Sequence, residues 1–417
     1  MSFSSVDDWI ARKTGAEDSK ALLKYQMQKV RETLRYVITR STFYGRRLRD
    51  FHRDIGAIHE LPFTYPEDIE RYSPEMLCVS QAEINRIVTH ITSGTTAPPK
   101  RIFFTEKDQE ATIDFFHHGM MEFTSAGDKV LILFPGTKDG SIGRLLATGL
   151  ERFGAVPLVY GIVSDYDDLL RFISNREINV ITGLPQQLLE LSILSLDRNI
   201  AVSGLHSVLL SADYSAKSLV SAIEKNLGCA VYDHYGMTET CFGGGVYSKI
   251  RDGYHLRHND FLFEIVDPVT GSVLSPGEYG EIVFTSLNTE AMPLVRYRTG
   301  DIARFLPQTD KFPVLEKIMD RLKDRVPLPN GYILKMADLE EVFFDNTEIL
   351  DFTASYNGNT LKLHVRSLRF DGEEIIKKLR DSQLETTLAY CNIEVSPLNS
   401  GNTSKNTMTK RTIIFRA

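Results

Sequence analysis

The sequence predicts an α/β protein. A large N-terminal domain holds doubly wound sheets and a small β-barrel-like region, and a small mobile α+β C-terminal domain follows. Three observations carry this. Between residues 105 and 233 short apolar runs alternate with amphipathic stretches, the rhythm of parallel strands joined by crossover helices. Residues 254–306 are instead rich in strand-like runs. From about 321 a helix, a hairpin and a second helix form a set of their own. The boundary is therefore placed between 1–320 and 321–417.

The elements follow in order. Residues 6–55 read as helical, with Leu22, Leu23, Tyr25, Met27, Val30, Leu34 and Tyr36 spaced amphipathically among charges. Leu61 to Thr64 is a linker, and an acidic helix begins at Pro66. Ile87-Val88 and Ile102-Phe103-Phe104 are strands flanking a polar loop. Thr105 caps a helix reaching Met121. Strands at 129–134, 156–160, 180–183, 207–211 and 230–233 alternate with helices at 140–153, 166–173, 185–196 and 215–227. Strands at 261–266, 280–285 and 302–305 make the barrel-like region. The C-terminal part has helices at 338–344 and 373–388, with a hairpin turning at Asn357-Gly358-Asn359.

Bulk properties bound the function. At 417 residues the chain exceeds what one hydrophobic core usually spans. A net charge of −7 gives no reason to expect nucleic-acid binding. Four cysteines without short paired spacing suggest free thiols in a reducing cytoplasm. The N-terminus lacks a basic and apolar leader, and no apolar run reaches membrane-spanning length, so neither a signal peptide nor a membrane association is expected. The oligomeric state stays open, a homodimer among the options.

The loop Ile91-Thr92-Ser93-Gly94-Thr95-Thr96-Ala97-Pro98-Pro99-Lys100 concentrates hydroxyls, a glycine and a cation between strands. Its hydroxyls and amides can wrap an anionic oxygen, and Lys100 adds positive charge. It lacks the Gly-Lys-Ser/Thr ending of a Walker A loop, which disfavours a P-loop NTPase. A polar hairpin turn is the plainer alternative.

Three further strings carry chemistry. In His234-Tyr235-Gly236-Met237-Thr238-Glu239-Thr240, after the strand 230–233, Tyr235 offers a face for adenine, Thr238 a hydroxyl for a phosphate, and Glu239 a hard carboxylate for Mg²⁺. A strand-to-helix turn would use the same residues. In Tyr297-Arg298-Thr299-Gly300-Asp301, Asp301 can accept from both hydroxyls of a ribose, although Gly-Asp turns are common. Asp320-Arg321-Leu322-Lys323-Asp324 is either an exposed linker or a hinge.

Ser93-Gly94-Thr95-Thr96-x-x-Pro99-Lys100, Tyr235-Gly236-x-Thr238-Glu239 and Thr299-Gly300-Asp301, in that order, resemble the adenylate-forming superfamily of acyl-CoA synthetases, peptide-synthetase adenylation domains and luciferases. The run Ala291-Met292-Pro293-Leu294-Val295-Arg296-Tyr297-Arg298-Thr299-Gly300-Asp301 resembles its phenylacetate-CoA ligase and coenzyme F390 synthetase-like branch. The resemblance covers nearly the whole chain. It implies ATP, Mg²⁺ and CoA as cofactors, and a carboxylic acid, aryl or small organic, activated to an acyl-adenylate and passed to a thiol. Transfer to a carrier protein, an amine or a hydroxyl is a second reading. A nucleotide-binding homologue without catalysis is a third.

The resemblance also implies roles. Ser93, Gly94, Thr95, Thr96 and Lys100 would hold the polyphosphate. Ser211-Ala212-Asp213 and His234 to Thr238 would line the nucleotide. Asp301 would bind the ribose, Arg321 the ribose or phosphate, and Lys323 would be the pivot of the small domain. Departures are Ala97, where a second loop glycine is usual, Ser211-Ala212-Asp213, where relatives often have a Gly-rich, Glu-containing segment, and the tail. Relatives carry Gly-Lys-x-x-Arg there; aligning on Arg411 puts Met408 at the lysine, leaving Lys410 or Lys405 to drive adenylation. Cys241, His255 and His258 are three candidate zinc ligands without a tight pair, so zinc is left open.

Overall fold

A computed structural model describes residues 4–51, 58–90, 99–250, 252–307, 311–345, 348–398 and 410–416. The chain folds into two compact units that do not follow sequence order. Met1–Ser125, Lys138–Gly154 and His234–Ile318 make the first; Ala126–Thr137, Ala155–Asp233 and Met319–Ala417 make the second.

In the first unit the helix Ser19–Arg40 is capped by Asp18, whose carboxylate accepts from the Ala21 amide at 2.7 Å, and it buries Leu22, Val30, Leu34 and Val37. The strands Arg86–His90 and Lys100–Phe104 pair antiparallel, with His90 opposite Lys100. The two mouths of the intervening loop are thereby held side by side. Ile102, Phe103 and Phe104 anchor this hairpin in the core. Thr105 caps the helix Glu106–Met120 as expected, its hydroxyl accepting from the Asp108 amide at 3.2 Å. The Asp108 carboxylate in turn accepts from the amides of Glu290 (2.7 Å) and Ala291 (3.1 Å). The strands Phe261–Val266, Gly280–Ser286 and Tyr297–Ala303 form antiparallel neighbours with an irregularity at Glu281/Val283.

In the second unit four parallel strands run in the order Ser207–Ser211, Val180–Gly183, Lys129–Ile132, Val156–Val159. Pro185 opens the helix Pro185–Asp197, where a missing amide costs nothing. The hairpin Ile349–Asn357/Thr360–Ser367 turns at Gly358, whose φ of +59° suits glycine. Asn392–Pro397 and Ile414–Arg416 add parallel edges to it. Leu131, Ile181, Leu188 and Val208 share one core with Leu339, Phe343 and Phe352.

Three expected boundaries move. The strand expected at 230–233 runs to Tyr235, because His234 and Tyr235 pair with Val246 and Gly245. The strand expected at 302–305 starts at Tyr297. The helix expected over 373–388 ends at Arg380, whose guanidinium donates forward to the carbonyls of Leu388 and Cys391 and folds that segment back as turns. Among the described residues no helix is long and apolar enough to cross a membrane.

Candidate adenylate-forming site

Lys100 opens its strand at the mouth of the Ser/Thr-rich loop. Its ammonium donates to Glu239 Oε1 and, at 2.8 Å, to the Tyr297 hydroxyl, which itself donates to Glu239 Oε1 at 2.8 Å. Three sequence-distant groups thus close a triangle with little solvent access, the Lys100 and Glu239 side chains being 14% and 10% exposed. Burial works against charge on Glu239, but Lys100 and the two hydrogen bonds outweigh it and hold the carboxyl down at about 2. Burial raises the Tyr297 hydroxyl well above its ordinary range, so it stays a donor.

The chain around Glu239 is tightly built. Thr238–Thr240 is a single 3-10 turn followed by Cys241 and Phe242 at φ +48° and +67°, a reversal that side chains rarely adopt. Gly236 is required by this return: a Cβ there would stand 2.3 Å from the Phe242 carbonyl oxygen. His234 is buried beside Phe115 and Phe116, and burial brings its imidazole down to about 4, leaving it neutral. Met237 caps the turn. Tyr235, expected as a face for adenine, is buried, its ring near Tyr254 and its hydroxyl donating to Asp301 Oδ2 at 3.2 Å.

Asp301 lies within a strand, not in a free turn. Gly300 has φ +78° and its amide donates to Glu281 Oε1 (3.0 Å); the Thr299 hydroxyl accepts from the Asp301 amide (3.1 Å) and donates to the Ile282 carbonyl (2.8 Å). The bulge turns the buried Asp301 carboxylate toward Tyr235.

His90 was not anticipated. Its imidazole lies 2.8 Å from the Thr238 hydroxyl, and burial lowers its pKa. Its position just before the polar loop was the available signal.

Ser93, Gly94, Thr95, Thr96 and Ala97 lie outside the described residues, as do Lys405 and Met408. In the second unit Ser211 ends its strand, Ala212 takes φ +74°, and Asp213 accepts from the backbone amide of Arg411 at 3.1 Å, next to Lys410. Arg321 lies 3.4 Å from Asp324, and Lys323 is exposed in the turn Leu322–Asp324.

Two cofactor questions can be put to these residues. Glu239 fits Mg²⁺: it is an ionised hard donor, and Lys100 and Tyr297 both bind Oε1, so neither bond occupies Oε2. For zinc, Cys241 lies against Thr112, His255 between Asp7 (3.0 Å) and Asp252 (3.2 Å), and His258 beside the Pro313 carbonyl (2.8 Å). Among the described residues no three His, Cys, Asp or Glu side chains gather as a metal site.

Comparison with known proteins identifies the family. Residues 64–290 match the family model described as AMP-binding enzyme. A phenylacetate-coenzyme A ligase of Pseudomonas putida is 31% identical over 69% of this chain and 68% of its own. That of Escherichia coli (strain K12) is 28% identical over 72% and 70%. In solved structures, a 2-hydroxyisobutyryl-CoA ligase in complex with its acyl-AMP in the postadenylation state superposes with a TM-score of 0.78 at 17% identity, over 96% of this chain and 91% of that one. The chain belongs to the AMP-binding enzyme family, on the phenylacetate-CoA ligase-like branch of the adenylate-forming superfamily, and is by class an AMP-forming acid–thiol ligase.

Proposed function

We propose that the chain activates an aryl or other small carboxylic acid with ATP and transfers the acyl group to CoA. The observation that carries this reading is the Lys100–Tyr297–Glu239 triangle at the mouth of the phosphate-loop sequence. It holds a cation and an ionised carboxylate in fixed positions before any substrate arrives. That is the preorganisation needed where charge develops at the α-phosphorus.

In this reading Lys100 and the loop hydroxyls Ser93, Thr95 and Thr96 orient the polyphosphate, and Thr238, steadied by His90, meets a phosphate oxygen. Mg²⁺ held by Glu239 would neutralise the polyphosphate charge. Asp301 takes the ribose hydroxyls, with Tyr235 fixing its orientation. Arg321 adds a ribose or phosphate contact. Lys323, exposed in the turn Leu322–Asp324, would be the pivot for residues 321–417, and turning about it would require them to leave the core they share with Leu131, Ile181 and Val208.

The test is a panel of aryl and short-chain acids assayed for acid-dependent pyrophosphate–ATP exchange and for CoA-thioester formation. Exchange with at least one acid, followed by its thioester, is the expected result. Exchange without thioester moves the acyl group to a carrier protein, amine or hydroxyl acceptor. No exchange with any acid refutes the reading.

A further inference from the structure

The strand pair Gly280–Ser286 and Tyr297–Ala303 departs from a regular ladder at one place, and two charged side chains there have no part in the nucleotide roles above. Val283 pairs with Arg298, and Glu281 with Ile302. Between those pairs the second strand carries Thr299, Gly300 and Asp301, and the first only Ile282. The ladder cannot supply acceptors for all the amides of such a bulge. Side chains do so instead. The Gly300 amide donates to Glu281 Oε1 (3.0 Å) and the Asp301 amide to the Thr299 hydroxyl (3.1 Å). Glu281 is itself held. Arg298 Nε donates to its Oε2 at 2.7 Å, and a second guanidinium nitrogen binds the same oxygen. That nitrogen also donates to the Pro268 carbonyl at 2.8 Å, and the guanidinium stands 5.2 Å from the centre of the Phe63 ring.

Three features set this apart from packing. The first is burial. The Glu281 side chain is 3% exposed, and a carboxylate kept there carries a desolvation cost that an apolar pair would avoid. The second is rigidity. The two oxygens of Glu281 serve different partners, the Gly300 amide and Arg298, so the carboxylate cannot turn without breaking one of the bonds. The third is direction. Gly300 holds φ +78°, and no atom lies within 4 Å of where a Cβ would stand, so glycine serves the backbone angle and not a close approach. With the Gly300 amide on Glu281 and the Asp301 amide on Thr299, both peptide planes of the bulge are fixed. They set the direction in which the Asp301 side chain leaves the strand, and its Oδ2 then meets the Tyr235 hydroxyl at 3.2 Å.

We propose that Glu281, locked by Arg298, is a positioning residue that makes the site selective for ribonucleotides. It holds the bulge in the geometry from which Asp301 reaches both hydroxyls of a ribose. It touches no nucleotide itself and acts through Asp301. The inference rests on the ribose reading of Asp301 given above.

The experiment measures the affinity of the full chain for ATP, 2′-deoxy-ATP and 3′-deoxy-ATP by calorimetric titration. Glu281→Ala alone would leave Arg298 without its carboxylate and threaten folding, so the pair is removed together, an exchange that is often neutral for stability. The variants are Glu281→Met with Arg298→Met, Glu281→Gln with Arg298→Met, and Asp301→Ala. The two double variants differ only in whether position 281 offers the Gly300 amide an acceptor, and Trp9 emission checks that each protein is folded. Wild type should bind ATP at least about ten-fold more tightly than either deoxynucleotide, the scale of one hydrogen bond to a charged group. Glu281→Met with Arg298→Met should bring the three affinities within about two-fold of one another, ATP losing the most. Glu281→Gln with Arg298→Met should keep a preference for ATP of at least about five-fold. A preference retained in the Glu281→Met double variant, even with all three nucleotides bound more weakly, marks a merely structural pair and overturns the proposal. Its loss in the Glu281→Gln double variant also overturns it. A wild type without the preference, or an Asp301→Ala that keeps it, overturns the ribose reading of Asp301, and the proposal falls with it.

Discussion

Replacing Lys100 by Met keeps the volume of the stem and removes the charge, which isolates the electrostatic part of the Lys100–Tyr297–Glu239 triangle. Glu239 is held at about 2 against an ordinary 4.5. A shift of that size favours the ionised carboxylate by roughly 3 kcal/mol at about 1.4 kcal/mol per unit. Burial opposes that shift and Lys100 is the largest favourable contributor, so without it burial wins and the Glu239 pKa rises above its ordinary value. At neutral pH the variant must bury an uncompensated carboxylate or take up a proton, and the cost should be about 3–5 kcal/mol.

The sign of the pH dependence follows. In wild type the depressed pKa contributes stability that is complete above about 4.5 and lost as pH falls toward 2. In Lys100→Met the raised pKa does the opposite, so the penalty grows as pH climbs above 4.5. The gap between the two proteins is therefore widest near neutral pH and narrows on acidification. Trp9 is the chain's single tryptophan, is buried, and lies in the same compact unit, so its emission reports on this site during urea unfolding. Adding Glu239→Gln to Lys100→Met should return most of the lost stability at neutral pH. A gap below about 1 kcal/mol, the size of an exposed pair, or one that does not change with pH, would refute the reasoning.

Asp301→Ala removes the acceptor proposed for both ribose hydroxyls and should weaken ATP binding by at least about 100-fold, the loss expected for two charge-assisted hydrogen bonds; calorimetric titration with ATP checks it, and unchanged affinity sinks the assignment. His255 sits between Asp252 and Asp7: burial lowers its pKa, but the two hydrogen bonds win and raise it to about 10. That stability is full below about 6.5 and lost as pH rises through 10, so His255→Gln should be less stable than wild type by a few kcal/mol at neutral pH, with the gap closing near pH 10 in Trp9-monitored unfolding. Gly236→Ala drives a Cβ to 2.3 Å from the Phe242 carbonyl oxygen, backbone that cannot step aside, and should cost about 2–3 kcal/mol and displace Glu239; exchange activity within two-fold of wild type would contradict that.

What could be read from the sequence is what is written in consecutive residues. The α/β rhythm, the Thr105 cap and the Asn357-Gly358-Asn359 turn are local chemistry, and each stands in the fold where it was expected. The motif order was likewise legible as a family resemblance, and the family model that matches residues 64–290 is of that family. The boundaries that moved did so because of partners far along the chain. The strand holding His234 and Tyr235 is extended by pairing with Val246 and Gly245, residues beyond the motif itself. Thr299-Gly300-Asp301 read locally as turn too, until its bulge against Glu281 and Val283 places it in a strand.

The site pairings are more distant still. Lys100 meets Tyr297, His90 meets Thr238, and Arg411 meets Asp213, in each case well over a hundred residues apart. These pairings also explain why composition was silent about an anion-binding site. Several cations of this acidic chain are matched inside it: Lys100 by Glu239, Arg296 by Glu264, Arg298 by Glu281, and Arg411 by Glu340 and Asp351. A net charge of −7 sums these pairs away. For the same reason a polyphosphate entering beside Lys100 does not meet a bare cation. In the proposed reading it would compete with a carboxylate already in place, so nucleotide binding and a loosening of the Lys100–Glu239 pair would be coupled.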